Sequence, residues 1–235
     1  MEQTKKKFHF AWLVLLGLCI VVGLGKSAIN NSAGLFLTPV SKELGVGMGS
    51  LTLYLSISAI VLLIFLPIGG KLMAKYETRS LLTVAVILQA GAFALFGLMN
   101  SVWGWYILSI PMAVGGVFTT VIAGPVLINQ WFKKSSGLAL GIMGAGVGIL
   151  GAVIQPVIGQ LISGQGWRHS YIYVGLAVII ISIPMIWLFL RMSPKDKGLQ
   201  PYGMDASSED GKAAQSDENS GISFAVAKKS TAFMP

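Results

Sequence analysis

Residues 80–132, SLLTVAVILQAGAFALFGLMNSVWGWYILSIPMAVGGVFTTVIAGPVLINQWF, decide the fold because they contain no Asp, Glu, Lys or Arg. One bilayer crossing takes about 20 apolar residues, so this stretch is too long for a single span. Residues 100–105 in its middle combine polar side chains with tryptophans, which favour the membrane interface. Two membrane-spanning helices joined by this turn are therefore predicted.

The rest of the chain continues the same pattern. Hydrophobic residues make up 54% of the 235 residues and charged residues 11%, against roughly 25% charged residues in an ordinary soluble domain. Further charge-free runs cover residues 44–70, 135–167 and 170–190. An all-α membrane protein is predicted, with six spans at about 10–36, 50–73, 80–99, 105–130, 137–163 and 170–191.

The basic residues lie mostly on one side of the predicted membrane. One set of connections and termini carries Lys5, Lys6, Lys7, Lys71, Lys75, Arg79, Lys133, Lys134, Arg191, Lys195 and Lys197, whereas the alternate set carries Lys42 and Arg168. Because Lys and Arg favour cytoplasmic connections, both termini are predicted in the cytoplasm, at a plasma membrane or bacterial inner membrane. The net charge of +8 follows from this asymmetry, so nucleic acid is not an expected partner.

Three regions are predicted along the chain. Residues 1–9 form a cytoplasmic N-terminus, residues 10–191 a six-helix bundle in the lipid bilayer, and residues 192–235 a disordered cytoplasmic tail or central linker, rich in polar and charged residues. The N-terminal lysines and apolar run also suit a signal peptide, but the five later spans favour a retained helix. Residues 222–233 resemble the approach to a further helix.

Lys26 is the ionisable residue embedded in the predicted spans. A charge inside a bilayer costs about 3 kcal/mol or more unless it is paired or hydrated, so such a residue marks a candidate functional site. Asn30 shares its helical face, and Asn31 follows. A lone cation with amide neighbours suits an anion, most simply a carboxylate. If the helix ends early, snorkelling of Lys26 to the interface is the alternative.

A glycine pattern marks the predicted fifth helix. It consists of Gly137, Gly141, Gly144, Gly148 and Gly151, which recur at spacings of four and three and so share one face. Small residues at this period let membrane helices approach closely, which predicts a packing seam. The spacing leaves open whether the seam also slides.

Other classes of function are disfavoured by the sequence. The spans hold no acidic residue, and the sequence offers no hydrolytic triad, metal-ligand spacing or phosphate-binding loop. No enzyme activity, metal or cofactor is therefore expected. A non-transporting six-span scaffold or regulatory protein and a truncated, inactive product stay open as alternatives to a transporter.

Residues 70–79, GKLMAKYETR, follow the predicted second helix. They are similar to the motif Gly-x-Leu-Ala-Asp-Arg-x-Gly-Arg of the major facilitator superfamily. Ala74 replaces the acidic residue of that motif, and Glu77 replaces its second glycine. The positions that fit are Gly70, Leu72, Lys75 and Arg79.

Residues 131–141, WFKKSSGLALG, lead into the predicted fifth helix. They resemble the motif Tyr-Phe-x-Lys-Arg-x-x-Leu-Ala-x-Gly of the monocarboxylate transporters and their bacterial relatives, the oxalate–formate antiporter type among them. The matching positions are Trp131, Phe132, Lys134, Leu138, Ala139 and Gly141.

The resemblance implies one half of a twelve-helix facilitator fold, with six transmembrane helices arranged as two inverted three-helix repeats. It implies secondary active symport or exchange of small, monocarboxylate-like anions, with a proton as the candidate coupling ion. Lys26 stands where those transporters place a substrate-binding lysine, beside Asn30 and Asn31, and the motif residues are implied at a gate. A second six-helix half, or a second copy of this chain, is the implied partner.

Overall fold

The computed structural model describes residues 9–194 and 200–203 of the chain. In this part the secondary structure is helical apart from turns and an isolated β-bridge, so the predicted all-α architecture is confirmed there. The α-helices are α1 (Ala11–Gly23), α2 (Ala33–Leu44), α3 (Met48–Lys75), α4 (Thr78–Leu95), α5 (Val102–Gly116), α6 (Ala123–Trp131) and α7 (Ser136–Phe189). Two π-helical segments, Leu24–Asn30 and Val117–Ile122, and a 3-10 turn, Phe96–Leu98, complete them.

Five helical stretches are long and apolar enough to cross a membrane. They are the first span (Ala11–Leu44), the second (Met48–Lys75), the third (Thr78–Leu98), the fourth (Val102–Trp131) and the long helix α7 (Ser136–Phe189). Their outer surface is apolar: on the second span Ile60, Leu63 and Ile64 are 58%, 69% and 62% exposed. Such side chains need a hydrocarbon solvent, as a lipid bilayer provides.

The first span runs to Leu44, past the predicted end near residue 36. Helix α2 continues through Pro39 and stops at Gly45, whose φ of 63° lies in the left-handed region that favours glycine. Snorkelling of Lys26 to the interface was expected if the helix ended soon after that residue. The first span instead continues to Leu44.

Helix α7 is interrupted at Gly166. This residue has φ 80° and ψ 161°, so the backbone leaves the helix there and resumes it at Trp167. A straight helix of 54 residues would be about 80 Å long, far more than the roughly 30 Å of a bilayer core. The interruption lies in the gap predicted between the fifth and sixth spans.

The core consists of two apolar clusters. One contains Trp131, Phe132 and Leu190, near the ends of the fourth span and α7. The other contains Phe36 and Tyr171, whose rings stack with their centroids 3.9 Å apart. Buried polar residues also occur among the spans, Gln89 and Thr119 among them.

The third span is held close to its neighbours by two glycines. A Cβ atom at Gly115 would meet the carbonyl oxygen of Ala85 at 2.3 Å, and one at Gly175 would meet that of Ala90 at 2.6 Å. Both distances are far below van der Waals contact, so only a hydrogen fits there. The third span thus lies almost backbone to backbone against the fourth span on one side and α7 on the other.

A polar clamp joins the end of the first span to the second part of α7. Arg168 Nε lies 2.9 Å from a carboxylate oxygen of Glu43, and Trp167 Nε1 donates a 2.6 Å hydrogen bond to the other oxygen. Arg168 also donates to the carbonyls of Gly97 and Met99 at 3.3 and 3.1 Å. Because Glu43 is exposed and Arg168 is only partly buried, solvent screens the ion pair, and the carbonyl bonds do more to fix the 3-10 turn.

Part of the predicted tail packs against the bundle. Tyr202 N donates to Trp131 O at 2.8 Å, and the Tyr202 ring lies 5.6 Å from Phe132 and 5.7 Å from Trp12. The described residues up to Tyr202 form one compact unit. The rest of the predicted tail, like residues 1–8 of the predicted N-terminus, lies outside the described residues.

Candidate functional site

The first π-helical segment presents the predicted binding residues. Lys26 and Asn30 lie in Leu24–Asn30, and Asn31 follows it; all three are exposed in this chain. Their neighbours Ser27 and Ile29 are buried. A π-helical turn is wider than an α-helical one and is often found at functional sites. The segment therefore divides into a polar exposed face and a packed face.

Lys26 lies beside a polar network but has no acidic neighbour in it. Among the residues that the structure describes, no carboxylate forms an ion pair with the Lys26 ammonium group. The ion pair that these residues do form joins Arg168 to Glu43. A cation at mid-span without an ion-pair partner marks a candidate site.

Gln89 of the third span is the centre of the buried polar network. Its side chain is 2% exposed, and Nε2 donates to Gly25 O at 3.3 Å and to Asn30 Oδ1 at 3.4 Å. Thr119 of the fourth span donates a short hydrogen bond to Gln89 Oε1. One amide thus links three spans, which is the way in which polar side chains hold membrane helices together.

The network fixes the direction in which Asn30 faces. The carbonyl oxygen of Gly25 can only accept a hydrogen bond, so the nitrogen of the Gln89 amide must lie beside it. The same nitrogen then donates to Asn30 Oδ1. With Oδ1 engaged by Gln89, the two N–H donors of Asn30 Nδ2 lie on the other side of its amide group. Together with Lys26, the exposed face carries donors, which suits an anion.

The second π-helical segment, Val117–Ile122, faces the same network. Thr119 and Thr120 lie in it and reach back to the carbonyls of Gly115 and Gly116 at 3.1 and 2.7 Å. The Thr120 bond satisfies a hydroxyl that would otherwise be unpaired in an apolar environment, while the Thr119 hydroxyl has both Gly115 O and Gln89 Oε1 as acceptors. Because Gly115 has no side chain, this segment comes close enough for Thr119 to reach Gln89.

A cavity of about 230 Å³ opens next to the network. Asn30, Thr120 and Ser58 contribute polar groups to its wall, and Tyr54 and Phe93 are among its apolar residues. The Ser58 hydroxyl has no partner within the described part of the chain. Binding sites for drug-sized molecules are usually larger, about 300–1,000 Å³, so this space suits a small solute. Lys26 does not line it and lies on the neighbouring exposed face.

The predicted gate residues lie at the ends of the spans. Gly70 and Lys75 are exposed, Leu72 is half-buried, and Arg79 Nε donates to Leu190 O at 2.9 Å, which ties the third span to the end of α7.

The motif that leads into α7 lies partly in the core. Trp131 and Phe132 are buried, and Trp131 Nε1 donates to Arg191 O at 2.9 Å. Ala139 is buried as well, whereas Lys134, Leu138 and Gly141 are exposed. The two motifs meet neighbouring backbone carbonyls, of Leu190 and Arg191, at the end of α7.

The glycine face of α7 is open for most of its length. Gly137, Gly141, Gly144 and Gly148 are exposed, and a Cβ atom at any of them would meet nothing within 4 Å. At Gly151 a Cβ atom would lie 3.2 Å from the hydroxyl oxygen of Ser27. A packing seam with a further helix therefore stays a prediction, and its partner would have to come from outside the described residues.

The family model of the Major Facilitator Superfamily matches residues 15–230. The chain belongs to the major facilitator superfamily. It is 24% identical over 187 residues to the oxalate:formate antiporter of Oxalobacter formigenes, a match that covers 78% of this chain and 43% of the relative. It is 22% identical to monocarboxylate transporter 4 of Rattus norvegicus, covering 83% and 41%. It is 26% identical to multidrug resistance protein MdtG of Yersinia enterocolitica, covering 80% and 44%.

Membership confirms the predicted family and makes this chain a multi-pass membrane protein of a transporter family. The oxalate:formate antiporter and monocarboxylate transporter 4 are named for transport. The chain spans less than half the length of each of these relatives.

Gln89 and Thr119, which form the centre of the site, were not predicted from the sequence. A signal for Gln89 was present, because it is an amide inside an apolar span, but Gln155 and Gln160 share this property. The sequence does not reveal that it faces Asn30, since the two residues are 59 positions apart and meet only when the spans pack.

Proposed function

We propose that this chain is one half of a secondary transporter for small, monocarboxylate-like anions, which works by symport or exchange together with a second half. The observation that carries the proposal is the exposed row of Lys26, Asn30 and Asn31 beside the Gln89 network. The row offers a cation and oriented amide donors to a small solute, and two relatives are named for oxalate, formate and monocarboxylates.

Six spans in two inverted repeats are part of the proposal. The interruption at Gly166 supports counting α7 as two spans. The first and fourth spans, which correspond in such a repeat, each carry a π-helical segment near the middle. Pro67 and Pro156 also stand at nearly the same distance from the starts of Met48–Lys75 and Ser136–Phe189.

In the proposed mechanism, Lys26 attracts the carboxylate near the bilayer midplane and Asn30 orients it through Nδ2. Asn31 supplies a further amide on the same exposed face. The two halves then rock around the bound anion so that the site opens to either side in turn. The motif residues around Arg79 and Trp131 act at the gate, at the cytoplasmic ends of the spans.

Uptake in the natural host tests this function with the protein as it is made there. The gene is deleted and restored as wild type, Lys26→Gln or Lys42→Gln, and uptake of radiolabelled formate, lactate and oxalate is measured. Removing the cation that binds the carboxylate should weaken uptake about tenfold or more. Lys42→Gln removes an exposed cation at the far end of the same span and should leave uptake unchanged. Normal uptake by Lys26→Gln at equal membrane levels would refute the role of Lys26.

A non-transporting scaffold or regulatory protein is the second candidate, and the open glycine face of α7 favours it. Such a face can dock a second copy of the chain as well as a second half. The same deletion strain separates the two functions. Unchanged uptake after deletion, with disulfide crosslinking between two chains that carry Gly144→Cys, would support the scaffold and contradict the transporter.

A further inference from the structure

A second cavity lies where the second span ends, the third begins and α7 stops. Its volume is about 370 Å³, and it is remote from the Gln89 network along the third span. Ala74, Glu77 and Thr78 line it between the second and third spans, and Arg79 and Arg191 line it as well. Because the apolar stretches end here, the cavity lies at the depth of the lipid headgroups.

The wall of this cavity is cationic. Arg79 and Arg191 contribute two guanidinium groups, against the one carboxylate of Glu77, which accepts a hydrogen bond from Ser80 at 3.3 Å. Arg79 is held by its Nε bond to Leu190 O and by the Trp187 ring, whose centroid lies 5.8 Å from its Cζ. Both contacts leave the terminal nitrogens of Arg79 available, in the planar fork that suits a phosphate or carboxylate.

Buried donors in the same wall have no acceptor in the described part of the chain. Thr78 is 2% exposed, and its hydroxyl is unpartnered there; so is the buried Nε of Arg191. A buried polar group without a partner is costly, and native proteins usually satisfy it with a bound group or water. The cavity is much larger than the roughly 30 Å³ of one water molecule.

Helix α4 begins at this cavity. Glu77 stands at its N-cap position but makes no capping hydrogen bond with its side chain. The first N–H groups of this 18-residue helix and the positive end of its dipole lie at the end that carries Thr78 and Arg79. Glu77 is the one carboxylate among the described residues that line the cavity, and Ala74 adds no second negative charge.

We propose that this cavity binds a phosphate group, held by Arg79, Arg191, Thr78 and the N-terminus of α4. The position at headgroup depth points to an anionic phospholipid, while inorganic phosphate has the same chemistry. This site is separate from the proposed carboxylate site at Lys26, but it shares Arg79 with the proposed gate.

Binding is measured on the full 235-residue chain in dodecyl maltoside micelles, which contain no phosphate. Phosphatidylglycerol, diacylglycerol and inorganic phosphate at constant ionic strength are titrated separately, with retained adducts read by native mass spectrometry and thermal stability read in parallel. Wild type should retain phosphatidylglycerol and not diacylglycerol, which lacks the phosphate.

Two variants change the charge of the site in different ways. Arg191→Gln removes one guanidinium, and Ala74→Asp places a competing carboxylate in the wall; each should weaken phosphatidylglycerol binding about tenfold, as expected for one charge-assisted hydrogen bond. Lys71→Gln removes an exposed cation from the same end of the second span, outside the cavity wall, and should bind like wild type.

The outcomes separate the two sources of phosphate. If phosphatidylglycerol alone binds, or if it competes with inorganic phosphate, the site exists and its occupant is a lipid. Binding of inorganic phosphate alone supports the site with a free anion. The proposal is overturned if neither binds, if diacylglycerol binds equally well, or if Arg191→Gln and Lys71→Gln lose the same affinity.

Discussion

At the scale of single residues, the proposed site depends on the amide of Gln89, which positions the amide of Asn30. Lys26 carries the charge, but Gln89 decides where the donors of Asn30 point, because its nitrogen is committed to Gly25 O and Asn30 Oδ1. A hydrogen bond between helices in a membrane contributes about 0.6 kcal/mol on average. The value of Gln89 therefore lies in orientation more than in stability.

The substitution Gln89→Leu tests this positioning role. It keeps the size of the side chain but removes both donors, so Asn30 is free to turn, and we expect substrate affinity to fall about tenfold while the protein still inserts. Uptake kinetics in the deletion strain measure the effect, with a rise in KM larger than any fall in maximal rate.

The matched control for Gln89→Leu is Gln160→Leu, the same chemical change at an exposed position of α7. It should leave the kinetics unchanged. Equal KM values for wild type and Gln89→Leu would show that Gln89 does not orient the binding groups.

At the scale of helices, the site depends on how closely the third span is held. The π-helical segments Leu24–Asn30 and Val117–Ile122 approach Gln89 from two sides, and the fourth span comes near because Gly115 lacks a side chain. The glycine face predicted as a seam lies elsewhere, on α7, and is largely open in this chain. The tightest contacts thus occur at glycines that have no periodic pattern.

The substitution Gly115→Ala should destabilise the bundle. Its Cβ would lie 2.3 Å from Ala85 O, so the two spans must separate, at a cost of about 1–3 kcal/mol. Thermal unfolding in nanodiscs should show a lower Tm. Gly141→Ala is the control, because its Cβ meets nothing within 4 Å and alanine is the better helix former. A Tm for Gly115→Ala equal to that of wild type would contradict the close packing.

At the scale of the whole molecule, the two ends of the bundle differ in charge. Basic residues such as Lys71 and Lys75 gather at the end that holds the Arg79 cavity, while the Glu43–Arg168 clamp marks the other end. We propose that the first of these ends is cytoplasmic, because Lys and Arg are retained on that side of the membrane.

Labelling of single cysteines tests this orientation. In a Cys19→Ser background, Ser80→Cys and Gly49→Cys place exposed thiols at opposite ends of the second and third spans. A membrane-impermeant maleimide should label Gly49→Cys in intact cells and Ser80→Cys in inside-out vesicles. Solubilised protein, in which both thiols must react, is the control. The reverse pattern would overturn the proposed topology.

The sequence by itself determined the membrane class, the helical architecture and the family. It also predicted a break between the third and fourth spans, although that break is shorter than residues 100–105, because α5 already begins at Val102. These follow from local composition, because a bilayer requires long apolar helices whose backbone is satisfied internally. It also singled out Lys26, since a charge in an apolar span is conspicuous wherever it faces.

Only the tertiary structure decided which polar groups meet. The contacts of Gln89 with Asn30 and Thr119, the close approach at Gly115 and the shared wall of Arg79 and Arg191 join residues far apart in the chain. Almost every position in these spans is apolar, so hydropathy does not tell which face of a helix points inward; packing at individual glycines and hydrogen bonds between spans set that rotation.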